Sequence, residues 1–202
     1  TPSLTQLYGN FGANPNLHPE SNRGLEVGTE WHLEKSAFFT SVVFFNREET
    51  NLVIFDGVQS AFINANSSIT ANGFELEARG QLLENLNFRG YYTFTKRIGD
   101  DAIRIPRHKA GILLDWSLGN QSNLILDYQY TGSRPDTDFR TFSAVTLDAF
   151  SLLDLRWQFT FKNTGSRVFL LCSNALNTQF EEIYGYTTPG RNIGLGWNLR
   201  IK

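Results

Sequence analysis

The chain has 202 residues, of which 41% are hydrophobic and 19% charged, with 1 Cys, 0 Met and a formal net charge of -2. The 14% aromatic content argues against a disordered chain, and the charge balance removes the usual basis for a nucleic-acid partner. One Cys makes neither an internal disulfide nor, alone, a zinc site. The length would suit one soluble domain. No charged segment followed by an apolar one stands at the start, as expected of a mature or truncated chain. The longest apolar stretch, 37–45, is interrupted by Thr40 and Ser41. That excludes an ordinary transmembrane helix but not a membrane β-barrel, whose strands give a weaker signal.

Taken in chain order, residues 1–22 read as a loop and 23–202 as strands and loops. Period-two alternation dominates. Leu25, Val27, Trp31 and Leu33 oppose Glu26, Gly28, Glu30 and His32. Segment 37–47 carries apolar residues on both faces, so its outward face is open. Phe74, Leu76, Ala78 and Leu82 oppose Glu75, Glu77, Arg79 and Gln81. Leu86, Phe88, Tyr92 and Phe94 oppose Asn87, Arg89, Thr93 and Thr95. Alternation recurs over 108–118, 123–132 and 153–161. Segment 167–175 is again two-sided. Ile193, Leu195, Trp197, Leu199 and Ile201 close the chain on one face. A helix would scatter these residues, whereas a strand separates them.

Connections come in two lengths. Glu34-Lys35-Ser36, 83–85, Gly119-Asn120-Gln121 and 162–165 are short, and most carry turn residues. The stretches 48–71, 98–107, 133–147 and 176–190 are long. Short and long alternate, which is the rhythm of an up-and-down transmembrane barrel with about nine strands in this chain. A soluble β-sandwich also alternates. Strand lengths of about 10–13 residues favour the membrane, because soluble strands usually have about 5–6. An odd sheet with two edges cannot stably face hydrocarbon, so further sequence is expected to complete the barrel.

Several motifs stand in order along the chain. Asn14-Pro15-Asn16-Leu17-His18-Pro19-Glu20, with Glu26-Val27-Gly28, resembles a signature of TonB-dependent outer-membrane receptors. Gly73-Phe74-Glu75-Leu76-Glu77, Ile105-Pro106-Arg107-His108 and Ser173-Asn174-Ala175-Leu176-Asn177 resemble further motifs of that family. The resemblance implies an all-β, antiparallel 22-stranded barrel with a plugged lumen, of which this chain is roughly strands 14 to 22. The plug domain is expected to lie outside this chain. Gly185-Tyr186-Thr187-Thr188-Pro189-Gly190-Arg191 resembles a loop of cobalamin receptors, although Pro-Gly-Arg also occurs in siderophore receptors. The family usually ends on an aromatic residue. Here Ile201 either fills that role, or residues follow.

The resemblance implies energy-coupled import of a scarce small-molecule nutrient across a Gram-negative outer membrane. Cobalamin is the first expectation, and a ferric siderophore or haem the second. A passive porin-like channel and a barrel anchoring a surface lipoprotein are the alternatives of another class. The implied partners are the TonB complex, the plug and remaining strands, and outer-membrane lipid. No enzyme activity and no resident cofactor are expected.

Among single residues, Arg134, Phe139, Tyr184 and Tyr186 are ligand-contact candidates, because aromatic and Arg side chains carry much recognition energy. They also suit a capping role on the loops. Asp115, Asp127, Asp154 and Arg156 fall on the polar face and are lumen candidates. They suit either plug contact and a solute path or a hydrated wall whose charges pair locally. His18, His32 and His108 show no metal-ligand spacing. Asp136-Thr137-Asp138 lacks the EF-hand pattern and reads as a solvated loop. Cys172 reads as a packed or lipid-adjacent thiol.

Overall fold

The computed structural model describes residues 1–33, 37–99 and 103–200. The turn Glu34-Lys35-Ser36 and the terminal Ile201 therefore lie outside the described residues. The elements run in chain order as α1 (Leu4–Tyr8), β1 (Ser21–Leu33), β2 (Phe38–Thr50), β3 (Val53–Asp56), β4 (Ala61–Asn64), β5 (Ile69–Leu83) and β6 (Leu86–Ile98). They continue as β7 (His108–Leu118), β8 (Ser122–Thr131), β9 (Arg134–Asp138), β10 (Ser143–Leu147), β11 (Phe150–Thr160), β12 (Arg167–Ser173) and β13 (Asn192–Asn198). Nine strands form one sheet in the order β1-β2-β5-β6-β7-β8-β11-β12-β13, so each sheet strand lies beside its neighbour in sequence. This is the expected meander. Among the described residues no helix is long and apolar enough to cross a membrane, which says nothing of crossing by strands.

Three expectations are corrected. The long stretches 48–71 and 133–147 are not simple loops; they contain the antiparallel hairpins β3–β4 and β9–β10. Residues 1–22 include α1, a single helical turn fixed by a capping box between Ser3 and Gln6, and the last two of them already belong to β1. A five-residue helix is too short to leave a periodic signal. The last strand stops at Asn198. Beyond it, the Arg200 N–H donates to Ser166 Oγ at 3.2 Å and leaves the ladder.

Register assigns the faces. Cross-strand partners share a face. Leu114 pairs with Leu126, which pairs with Leu155, which pairs with Cys172, which pairs with Ile193. The expected apolar row is therefore continuous over five strands. Asp115 pairs with Ile125, Ile125 with Arg156, and Arg156 with Leu171, which places these four on the opposite face. The two-sided segment 167–175 is thereby resolved: Val168, Leu170 and Cys172 join the apolar row, and Arg167, Phe169 and Leu171 join the polar one. Segment 37–47 is resolved by side chains. Phe38 lies 6.0 Å from Phe88 on the apolar face, while Phe39 lies under Arg79 and beside His32 on the other.

The chain divides into two compact units. The first comprises Thr1–Val27, Phe44–Gly73 and Lys96–Ala102. In it, residues 14–20 run along the β3–β4 hairpin. Asn14 Nδ2 donates to the Phe62 carbonyl at 2.9 Å. Asn64 exchanges hydrogen bonds with the His18 N–H and carbonyl, and Glu20 Oε1 accepts from the Val53 N–H. Leu17 is buried there, and Phe11 stacks on Phe55. The Asn-Pro-Asn segment is thus a brace for a hairpin.

The second unit comprises Gly28–Val43, Phe74–Thr95 and Ile103–Lys202. Its apolar face stands open: Leu195 is 78% exposed and Trp197 65%. Leaving such a side chain in water forgoes about 1.5–3 kcal/mol, so an open face of this kind suits hydrocarbon as its solvent. On the polar face, rings cover glycines of the next strand. A Cβ built on Gly111 would lie 2.4 Å from the Tyr91 ring, and one on Gly196 would lie 2.1 Å from the Phe169 ring. Each pair is directly opposed in register. Gly111→Val is expected to destabilise the sheet by about 1–3 kcal/mol through overpacking. The readout is the temperature at which the full-length protein loses its fast-migrating folded band in gel electrophoresis. Adding Tyr91→Ala is expected to restore part of that loss.

Candidate functional site

The site is built from three long connections of the second unit. They are residues 103–107, the β9–β10 hairpin, and the 174–191 segment that joins β12 to β13. Each is held by polar groups withdrawn from water.

Asn174 folds the 174–191 segment back on itself. Its φ is 49°, in the left-handed region where Asn is enriched. Its N–H donates to Asp154 Oδ1 at 2.7 Å, and its Oδ1 accepts the Thr178 N–H at 2.9 Å. Its Nδ2 donates to the carbonyls of Thr178 and Pro189, near the two ends of the loop. Asn177 Oδ1 accepts the Arg191 N–H at 3.0 Å, and Arg191 Nε donates to the Ala175 carbonyl at 3.0 Å. A Cβ on Gly190 would lie 2.9 Å from Asn177 Oδ1, so a larger residue there would press on the Asn177–Arg191 hydrogen bond. The Ser-Asn-Ala-Leu-Asn and Pro-Gly-Arg motifs are therefore two halves of one clasp. Phe150 and Phe180 pack with their ring centroids 4.3 Å apart and their planes tilted by 31°.

Asp136 ties the three connections together. It is 1% exposed. Its carboxylate accepts from Arg104 Nε at 2.8 Å, the Tyr184 N–H at 2.9 Å and the Thr137 N–H at 2.8 Å. Burial pushes this carboxyl up, but the Tyr184 and Thr137 N–H groups and the Arg104 guanidinium outweigh it and hold it below the ordinary value. The reading of Asp136-Thr137-Asp138 as a solvated loop is thus overturned. Asp138 is also buried; the Arg140 N–H, donating to its carboxylate at 2.9 Å, is the main cause that lowers its titration. Arg104 adopts φ 60°, which costs a non-glycine residue roughly 1–2 kcal/mol. Three contacts offset that strain: its ion pair with Asp136, its N–H to the Pro135 carbonyl at 2.7 Å, and the Phe139 ring 5.4 Å from its guanidinium. Arg104 does not stand out in the sequence, and Asp136 reads there only as part of a solvated acidic loop. Nothing in a single chain says which surface Arg meets which Asp 32 residues away.

The four loop candidates separate by exposure. Arg134 is 4% exposed; its Nη2 donates to the Glu181 carbonyl at 2.6 Å and its guanidinium lies 5.2 Å from the Phe150 ring. Burial pushes its guanidinium down, against the raising fields of Glu182 and Asp136. Arg134 is placed as an internal strut. Phe139 and Tyr186 are exposed, and Tyr184 is partly so. Tyr184, Phe150, Phe180 and Thr187 line a recess of about 360 Å³ together with the carboxylate residues Asp148 and Glu181. No Arg or Lys lines it.

The four polar-face candidates lie on adjacent strands. Asp127 is directly opposed to Asp154, and Ile125 pairs with both Asp115 and Arg156. Asp154 is engaged by Asn174, Asp115 accepts from Asn123 Nδ2, and Arg156 lies 5.7 Å from the Phe169 ring. No group of three or more His, Cys, Asp or Glu placed to hold a metal ion occurs among the described residues.

An antiparallel meander of long strands, apolar outward on one face and joined by braced loops at one end, defines a membrane β-barrel segment. The family model described as "TonB dependent receptor-like, beta-barrel" matches residues 1–180, and the chain belongs to that family. Solved structures agree in fold. The ferric-catecholate import receptor Fiu of E. coli matches with TM-score 0.73 and 16% identity, over 91% of this chain and 28% of that one. The pyoverdine outer-membrane receptor FpvA of Pseudomonas aeruginosa matches with TM-score 0.74 and 13% identity, over 89% and 29%. The siderophore receptor PiuA of Acinetobacter baumannii matches with TM-score 0.74 and 15% identity, over 88% and 28%. The chain thus spans less than a third of these relatives' length. Proteins of this family are outer-membrane transport receptors rather than enzymes.

The Asp136 tie is testable by pH. Because the folded carboxyl titrates below its ordinary value of 3.8, its contribution is fully present above that value and is lost as pH falls through the depressed one. Hydrogen exchange at the Tyr184 and Thr137 amides is expected to stay slow from pH 7 down to about 4. Asp136→Asn is expected to speed it at every pH in that window, by about ten-fold if about 1.4 kcal/mol of local stability is lost.

Proposed function

We propose that this chain is the C-terminal barrel portion of a TonB-dependent receptor that imports a scarce nutrient, with cobalamin as the ligand. The observation that carries the reading is the braced loop cluster. Asp136 and the Asn174 clasp fix the backbone and leave Phe139, Tyr184 and Tyr186 turned toward solvent. Rigid aromatic groups give recognition area at low entropic cost. The recess beside them is lined by Asp148 and Glu181 without a cation, which suits a neutral or positively charged ligand and opposes a polyanionic chelate. Outside the loops, Asp115, Asp127 and Arg156 line the lumen and face the plug. The polar groups of the plug and the remaining strands complete the ligand site. TonB, engaged through sequence outside this chain, supplies the energy. The barrel sits in the outer membrane of a Gram-negative cell.

A second ligand reading, a ferric siderophore, is favoured by the solved neighbours, which include ferric-catecholate and pyoverdine receptors. Pro189 and Arg191 serve to close the loop, so the Pro-Gly-Arg motif by itself favours neither ligand.

The test is a titration of the full-length receptor in detergent with cyanocobalamin and with ferric siderophores. Saturable cobalamin binding is expected, weakened about ten-fold in Tyr184→Ala, as for the loss of an aromatic anchor worth about 1–2 kcal/mol. Siderophore binding without cobalamin binding overturns the ligand. Binding of neither, with free solute flux through the barrel, favours the passive-channel alternative.

A further inference from the structure

The short-turn end of the second unit carries a recess separate from the loop cluster. It has a volume of about 750 Å³ and is lined by Phe159, Phe161, Lys162, Ser166, Trp197 and Leu199 among others. Phe159 and Trp197 belong to the apolar face: Phe159 pairs with Val168, and Val168 pairs with Trp197. The recess therefore opens where hydrocarbon meets the wall. Phe161 is 41% exposed, and Trp197 and Leu199 are more so.

Its upper rim is a tight turn. The Gly165 N–H donates to the Phe161 carbonyl at 2.7 Å with φ 72° at Gly165, and the Phe161 N–H donates to the Ser166 carbonyl at 2.9 Å. The turn places Lys162 at the edge of the recess. It also receives Arg200: the Arg200 N–H donates to Ser166 Oγ, and the Arg200 side chain lies against Gly165. One cation, Lys162, thus lines the apolar slot, and a second, Arg200, packs on the turn that forms its rim. No Asp or Glu side chain occurs in 155–180 or in 183–200. The loop cluster at the other end is balanced by contrast, with Asp136, Asp138, Asp148, Glu181 and Glu182 set against Arg104, Arg107, Arg134, Arg140 and Arg191.

We propose that this recess is a binding site for an anionic glycerophospholipid of the leaflet at the short-turn end. One acyl chain lies along Phe159, Phe161 and Trp197, and the phosphate meets Lys162 and Arg200. The proposal rests on the outer-membrane placement given above. An apolar slot alone would accept any hydrocarbon; Lys162 at its mouth, with Arg200 on the same turn, selects the charge of the headgroup. Asn163 and Thr164 at the rim add hydrogen-bonding groups for the glycerol oxygens.

The experiment is native mass spectrometry of the full-length receptor, extracted in mild detergent and loaded with phosphatidylglycerol or phosphatidylethanolamine. Wild type is expected to retain phosphatidylglycerol in preference. Lys162→Gln is expected to reduce that retention about five-fold, the equivalent of about 1 kcal/mol for one cation near an anionic headgroup. Lys162→Glu with Arg200→Glu is expected to abolish the preference, and Trp197→Ala to lower retention of both lipids. All variants must keep the fast-migrating folded band, and Lys162→Gln, a surface change, serves if the double variant does not. Equal retention of both lipids by wild type, or unchanged retention in Lys162→Gln, overturns the site while leaving the receptor reading standing. Recovery of the wild-type protein in the aqueous fraction without detergent overturns both.

Discussion

A peptide N–H or C=O without a partner in hydrocarbon costs several kcal/mol, and a strand can satisfy its groups only through its neighbours. Every sheet strand here lies beside the next one in sequence, so the ladder is built from local connections. Once the ladder is continuous, the pleat forces alternate residues to opposite faces. The sequence meets that demand from β6 to β13 without a slip in register: one row runs Leu114, Leu126, Leu155, Cys172, Ile193. A slip of one residue would turn Asp115, Asp127 and Arg156 toward lipid. The polar face meets a different demand. It carries glycines under aromatic rings, which lets Tyr91 and Phe169 lie flat against the neighbouring strand.

The loops solve the opposite problem. They lie outside the ladder, so their backbone groups need other partners. Asn174 and Asn177 supply them at the base of the last long connection, and Asp136 supplies them across three connections. Asn174 and Asp136 are withdrawn from water, where hydrogen bonds are stronger and unpaired groups costlier. The result is a cluster in which Asp136 and Asn174 are spent on internal hydrogen bonds while Phe139, Tyr184 and Tyr186 are left exposed. Arg134 shows the division: by composition it belongs with Phe139 and Tyr186, but its guanidinium is enclosed by Glu181 and Phe150. In the first unit the Asn-Pro-Asn segment does similar work, bracing a hairpin through Asn14, Asn64 and Glu20.

The two ends of the second unit differ in chemistry as well as in length. The long connections carry carboxylates and arginines in equal number and are braced by buried groups such as Asp136. The short turn at 162–165 carries Lys162 and borders an open apolar face. The proposed solute and lipid sites therefore fall at different ends of the sheet.

The sheet was legible in the sequence because alternation and turn chemistry are local. Long strands, short turns at 83–85, 119–121 and 162–165, and the faces of the one-sided strands all follow from residues within a few positions of each other. The hairpins β3–β4 and β9–β10 were not legible, because each strand has only four or five residues and no alternation to display. Segments 37–47 and 167–175 were apolar on both sides, so only their cross-strand partners could choose a face. The site was less legible still. The candidates Phe139, Tyr184 and Tyr186 could be picked by residue type, but the Arg104–Asp136–Tyr184 tie joins groups that no local pattern connects. Hydrocarbon imposes a period on the strands that a single sequence displays; a buried charge depends on which groups surround it, and only the tertiary structure brings those together.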